Sequence, residues 1–166
     1  MSKKDLYSDK AIEKLKELAE SIDFAMLATH LKHQPIHMVP MSTKKVDDQG
    51  NIWFLSGKDS EHNQHILKDP KIHLIYANPK GFEFLNVYGV ATIVTDKAIL
   101  EDLYGSGDDM WFEGVDDPNL TAIKIDTEDA FYWDNKNSKI GSLLKMGVGA
   151  ITGNEPDLSE YGELKL

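Results

Sequence analysis

The stretch Gly50-Asn-Ile-Trp-Phe-Leu-Ser-Gly-Lys-Asp-Ser-Glu-His-Asn-Gln-His-Ile-Leu-Lys-Asp-Pro-Lys-Ile-His-Leu-Ile-Tyr-Ala-Asn-Pro79 decides how this chain is read. Ile52 to Leu55 is an apolar run, and a short polar turn follows it. Ser60 is placed to cap a helix that carries Asn63, Ile66 and Leu67 on one side. Asp69-Pro70 ends that helix, because a residue before proline avoids helical backbone. Ile72 to Ala77 is apolar and extended again. The spacing predicts strand, turn, helix and strand. A strand that delivers backbone N–H groups and a hydroxyl to a helix start is a place to hold an anion, such as a cofactor phosphate.

Working outward, the first helix begins near Ser8, a plausible N-cap with Tyr7 and Ile12 placed to staple across it. Ile12, Leu15, Leu18 and Ile22 recur on one face. Phe24 to Thr29 reads as a buried strand and Ile36 to Lys44 as its hairpin partner, joined through His30 to Pro35. Asp47-Asp-Gln-Gly50 is a turn signal. Beyond the opening stretch, Phe84 to Val94 is a long strand in which Gly89 marks close packing or a bend. Thr95 or Asp96 caps a helix over Ala98 to Tyr104. Gly105 to Pro118 is an irregular loop containing Met110, Trp111 and Phe112. Thr121 to Ile125 and Ala130 to Trp133 read as a final strand pair. Ile140 to Ile151 is expected to be a helix, and the tail after Gly153 is polar and extended.

The 166 residues make one domain's worth of chain. Hydrophobic residues are 41% and charged residues 28%, as in globular proteins generally. No apolar run approaches the ~18 residues of a membrane span, and the N-terminus lacks an apolar export signal. There is no cysteine, which excludes disulfides and thiolate chemistry and suits the cytoplasm. A formal net charge of −10 opposes binding to nucleic acid and to anionic membrane. Much of the acid lies between Asp96 and Asp117, read either as a solvated face or as a partner-binding loop. Six or seven short antiparallel strands with turn signals between them predict a closed or nearly closed β-barrel with helices at its ends.

The chain resembles, over nearly its whole length, the FMN-binding split-barrel superfamily of pyridoxamine 5'-phosphate oxidase, in its general stress protein branch. His37-Met-Val-Pro-Met41 is similar to the second-strand motif H-S-R-P-M, and Ile52-Trp-Phe-Leu-Ser56 to the third strand. Ser60-Glu-His62 stands where many members have S-x-K. Met110-Trp-Phe112 with Asp116-Asp-Pro118 resembles W-F-x-x-x-x-D-D-P, and Tyr132-Trp-Asp134 also recurs. Leu143-Leu-Lys-Met146 and Gly153 to Leu158 match the tail.

The resemblance implies a mainly β fold: a six- to seven-stranded antiparallel split β-barrel with short flanking helices. A single domain spans 1–166, with an N-terminal helix over 1–22, the barrel over 23–135 and a C-terminal helix and tail over 136–166. It implies FMN, or FAD, at the interface of a homodimer, with the phosphate near the helix after the third strand. Position by position, the cofactor contacts fall on Val39, Met41, Lys44, Leu55, Ser56, Gly57, Ser60 and His62, with Trp133 or Trp111 supplied by the partner subunit. The implied activity is electron or hydride transfer through the flavin, with the substrate unspecified and no catalytic acid or base singled out.

Two departures bear on that activity. Val39 stands where the family's arginine stands, and His62 where a lysine often stands; the chain has no arginine at all. One charge-assisted phosphate contact is worth ~1.5–3 kcal/mol. Lys44, Lys45 and Lys58 are near enough in sequence to compensate as point charges. After Trp133 there are lysines but no histidine, which argues against true pyridoxamine 5'-phosphate oxidase activity. The alternative is a non-enzymatic small-molecule-binding dimer with a degenerate flavin site. His30, His33, His37, His62 and His65 read as surface or capping residues, with no metal expected. Trp53 and Phe54 read as core, and Trp111 is divided between a dimer contact and a flavin contact.

Overall fold

A computed structural model describes residues 1–135 and 159–166. The elements are β1 (Ser2–Lys3), β2 (Leu6–Tyr7), α1 (Ser8–Ile22), β3 (Phe24–Thr29), β4 (His37–Ser42), β5 (Lys45–Val46), β6 (Ile52–Gly57), α2 (Glu61–Lys68), β7 (Lys71–Asn78), β8 (Glu83–Val94), α3 (Lys97–Leu103), a 3₁₀ turn (Ser106–Met110), β9 (Leu120–Asn135) and β10 (Ser159–Lys165). The helix expected over Ile140 to Ile151 lies outside the described residues.

The protein is mainly β. Its sheet has ten strands, ordered β1-β10-β9-β8-β7-β3-β4, with β2 on β10 and the β5–β6 ribbon on β9. This corrects the expected antiparallel barrel of six or seven strands in two respects. The sheet is mixed, because the short β1 and β2 run parallel to β10. Among the described residues its pairing does not close on itself.

β9 explains much of the shape. Residues 120–125 pair with β6, residues 122–133 follow β8 and residues 130–135 pair with β10. The strand pair expected over residues 121–133 is therefore one continuous strand. Its polar middle, Asp126 to Asp129, imitates a turn in sequence. In the structure Gly89 faces Thr127 and Tyr88 faces Asp129, so Glu128 is the extra residue of a bulge. A bulge sharpens strand twist. Gly89 is required there, since a Cβ would lie 2.4 Å from the Asp126 carbonyl oxygen.

Two apolar clusters hold the layers together. The main one joins Ala11, Leu15, Leu18 and Ala19 of α1 to inward residues of the sheet, among them Leu27, Phe54, Leu74, Val87, Ile123 and Tyr132. Full burial of each large side chain contributes about 1.5–3 kcal/mol. The second gathers Trp53, Leu100, Leu103, Leu120 and Ala122, with Leu55 and Phe112 packed on it. It fixes α3 and the acidic loop over β6.

Local details depart from expectation in three places. Tyr7, not Ser8, is the N-cap of α1, and Ser8 begins the helix with φ of 49°. Leu67 is exposed, because α2 turns Asn63 and Ile66 inward. The outer face of β3 is open over its first residues: Phe24 and Met26 are exposed beside Met38 and Ile75, whereas Ala28 on that face is buried. The strand lies in a sheet whose outer face no described element covers there.

Candidate functional site

The β6–α2 junction forms as its residues dictate. β6 is held on β9, and Ser60, with extended backbone, accepts the Asn63 N–H in its side chain at 3.3 Å. The turn itself is tied down by Asn119. The Lys58 amide donates to its carbonyl at 2.7 Å, and the Asp59 amide to its side-chain oxygen at 3.2 Å. Ser60 N–H donates to the Gly57 carbonyl at 3.1 Å. Most of the turn's donors therefore already have protein partners. A Cβ on Gly57 would press the Asn119 amide at 3.2 Å.

A cavity of about 350 Å³ opens beside this junction. That volume is in the range of small-molecule sites. Met41, Lys44, Leu55, Ser56, Gly57, His62 and Trp111 all line it. Six positions nominated for this chain thus come together, from β4, the β4–β5 link, β6 and α2, and Trp111, expected from the partner subunit, lines the cavity from the acidic loop of its own chain. The other three lie elsewhere. Val39 is half-buried and packs against the main core. Ser60 caps α2. Trp133 lines a separate apolar hollow with Ile75, Phe82 and Phe84.

Sequence reasoning missed Phe24, Pro40, Ser42, Asp108 and Phe112 as further lining residues. Pro40 sits inside the second-strand motif and could have been nominated with it. Asp108 carried no local signal. It was one of the acids read as a solvated or partner-binding face, and it accepts the Lys44 ammonium at 2.7 Å. Other acids in the same region also have internal partners. Asp102 pairs with Lys45, Asp116 with Lys97 at 2.7 Å, and Asp109 accepts the Tyr104 hydroxyl at 2.8 Å.

The polar groups of the cavity are largely committed. Ser56 is buried, and its hydroxyl is 2.8 Å from the Thr121 hydroxyl. Thr121 in turn donates to the Ser56 carbonyl and accepts from the Asn63 amide, each at 2.9 Å. Burial, reinforced by His37 and His65 nearby, pushes the His62 imidazole below its ordinary value. This favours its neutral form. With Lys44 and Asp108 offsetting each other, the titratable lining groups among the described residues carry little net charge.

These features define an open-sheet β protein with a small-molecule cavity at a strand–turn–helix junction. The family model for pyridoxamine 5'-phosphate oxidase-like proteins matches residues 10–157, and the chain belongs to that family. General stress protein 26 of Bacillus subtilis is 28% identical over 81 residues, 47% of this chain and 58% of that protein. The crystal structure of a general stress protein 26 from Jannaschia superposes with a TM-score of 0.79 at 18% identity, covering 96% of this chain and 99% of that one. The general stress FMN/FAD-binding protein of Xanthomonas citri superposes with a TM-score of 0.65 at 24% identity, covering 77% and 90%. Among the described residues no helix is long and apolar enough to cross a membrane.

Proposed function

We propose that this chain is a flavin-binding, oxidoreductase-like protein whose cavity takes the flavin ring. The observation that carries the reading is the convergence of Met41, Lys44, Leu55, Ser56, Gly57, His62 and Trp111 on one cavity. The lining suits a ring system. Met41, Leu55, Phe112 and Trp111 offer apolar and aromatic surface, while Ser56 and Gly57 bring backbone close to it. The fit to a phosphate is weaker. Among the described residues, the Glu61 and His62 amides at the helix start have no protein partner, and no unpaired cation lines the cavity. FMN and FAD both remain within the reading. A bound flavin supplies hydride and electron transfer itself. The residues here position it and exclude water.

The same reading includes a homodimer. Met26 pairs in register with Pro40 on one side and Ile75 on the other. With Phe24 and Met38 they form an exposed apolar face on β3, β4 and β7. A second copy burying this face would also cover Trp111, which is 79% exposed.

The Lys44–Asp108 pair favours a second reading: a dimer that binds an uncharged small molecule, or a flavin only loosely, and performs no chemistry. Absorbance of the purified protein near ~450 nm and titration with FMN, FAD and riboflavin separate the two. A protein that is colourless and quenches no flavin fluorescence leaves only the second.

A further inference from the structure

Five of the six histidines gather where the β3–β4 turn meets α2. The His30 ring lies 3.6 Å from that of His33 and 4.5 Å from that of His65, and the His37 ring lies 5.0 Å from that of His65, centroid to centroid. Sequence spacing could not show this, because His37 is on a strand and His65 is one helical turn after Glu61 on α2. The Glu61 carboxylate stands between two of the rings. One oxygen is 3.7 Å from His37 Nδ1 and the other 3.7 Å from His65 Nε2. Donor atoms of His37, Glu61 and His65 all lie within 4.8 Å of one another.

The surroundings favour a ligand role over three unrelated side chains. His65 Nδ1 is 3.0 Å from the Thr29 hydroxyl. When Nδ1–H donates to Thr29, the lone pair of Nε2 points toward Glu61. That is how ligating imidazoles are oriented, through a hydrogen bond from the other nitrogen. His37 Nε2 is buried with no hydrogen-bond partner, so no competing contact locks the ring. Glu61 is the solvent-facing member, which leaves a path for an ion. Two imidazoles and a carboxylate form the mixed nitrogen–oxygen set that suits zinc and neighbouring divalent transition ions. Metal–ligand bonds of ~2.0–2.2 Å require the donors to close by about an ångström. Glu61, being exposed, can adjust toward the two rings.

We propose that His37, Glu61 and His65 form a binding site for a divalent transition-metal ion, with Zn²⁺ as the best match and a further coordination position open to water or to His30. The site adjoins the α2 start that the flavin reading uses, but its three donor side chains do not line the flavin cavity, so neither proposal depends on the other.

The test is calorimetric titration of untagged, full-length protein with zinc chloride, paired with the visible spectrum of the protein after addition of Co²⁺. One equivalent of zinc is expected to bind with a micromolar or tighter dissociation constant and to raise Tm. Co²⁺ should give the d–d bands of a low-coordinate nitrogen–oxygen site. His37→Gln, Glu61→Gln and His65→Gln should each weaken zinc at least ten-fold. Thr29→Val keeps every donor but frees the His65 ring, and should also weaken it. His73→Gln, on β7 and outside the cluster, should leave zinc binding unchanged. Should a histidine variant fail to fold, Glu61→Gln and Thr29→Val carry the test, since Glu61 is exposed and Thr29 is not a ligand. Absence of binding up to millimolar zinc, or equal affinity in wild type, Glu61→Gln and Thr29→Val, overturns the proposal.

Discussion

The Lys44 ammonium donates to the Asp108 carboxylate across 2.7 Å, joining two residues 64 apart in sequence at the mouth of one cavity. Both line it. The pair holds the acidic loop against the β4–β5 link, and it cancels the cation that could otherwise meet a phosphate there.

Asp108→Asn should therefore free Lys44 without emptying the position. FMN affinity is expected to rise by up to about ten-fold, given roughly 1.5–3 kcal/mol for a full charge-assisted contact and some screening at the mouth. Riboflavin affinity should stay the same. Fluorescence titration of both ligands against wild type and variant checks this; an equal gain for riboflavin would show that the effect is not on phosphate.

The apolar face of β3, β4 and β7 gives a second expectation. Wild type should run as two chains by light scattering at micromolar concentration. Met26→Glu combined with Ile75→Glu places like charges beside each other in register and should shift it to one. A single-chain mass for wild type would remove the dimer from the account.

Thr121 connects Ser56 to Asn63 beneath the cavity floor. Thr121→Val keeps the shape but strips the hydroxyl, leaving the Asn63 amide and Ser56 hydroxyl buried without their partner. The expected loss is about 1–3 kcal/mol of unfolding free energy, read by urea denaturation. A change within error would mean water replaces the hydroxyl.

Asp47 sets a pH dependence. Burial alone would raise its carboxyl, but hydrogen bonds from the Trp53 indole and from Asn51 outweigh it and hold the group below the ordinary value of 3.8. The indole bond is 2.9 Å. Because the folded value lies below the unfolded one, the contribution is complete above the ordinary value and lost as pH falls through the folded value. Asp47→Asn should be less stable than wild type near neutrality, with the gap narrowing below about pH 4. Denaturation midpoints at both pH values check it, and a gap independent of pH would contradict the assignment.

How much of this was legible depended on whether a residue's role is local. Ser60, Asp69 and Pro70 announced α2 because caps and stops act within a few residues, and the β6 strand before it was a plain apolar run. β10 left no such trace. Its buried positions are Glu160, Gly162 and Leu164, so the alternation that marks a strand is missing. Gly162 is there because the Lys4 carbonyl passes where a Cβ would be, 2.1 Å away. The continuity of β9 was hidden by its polar bulge. In the site, family resemblance nominated residues of β4, β6 and α2 and Trp111 of the acidic loop, whereas Asp108 joins the lining through its pairing with Lys44, which only the fold brings about. The five-histidine cluster was hidden for the same reason.

Parallel titration of the purified wild-type protein with FMN and riboflavin tests the central claim most directly. The account predicts that both bind, with affinities within about ten-fold of each other, because the ring is held by Met41, Leu55, Trp111 and Phe112 while the lining contributes little net charge to the phosphate. Failure of either flavin to bind would contradict the flavin site, and FMN binding a hundred-fold tighter than riboflavin would contradict the charge balance described for it.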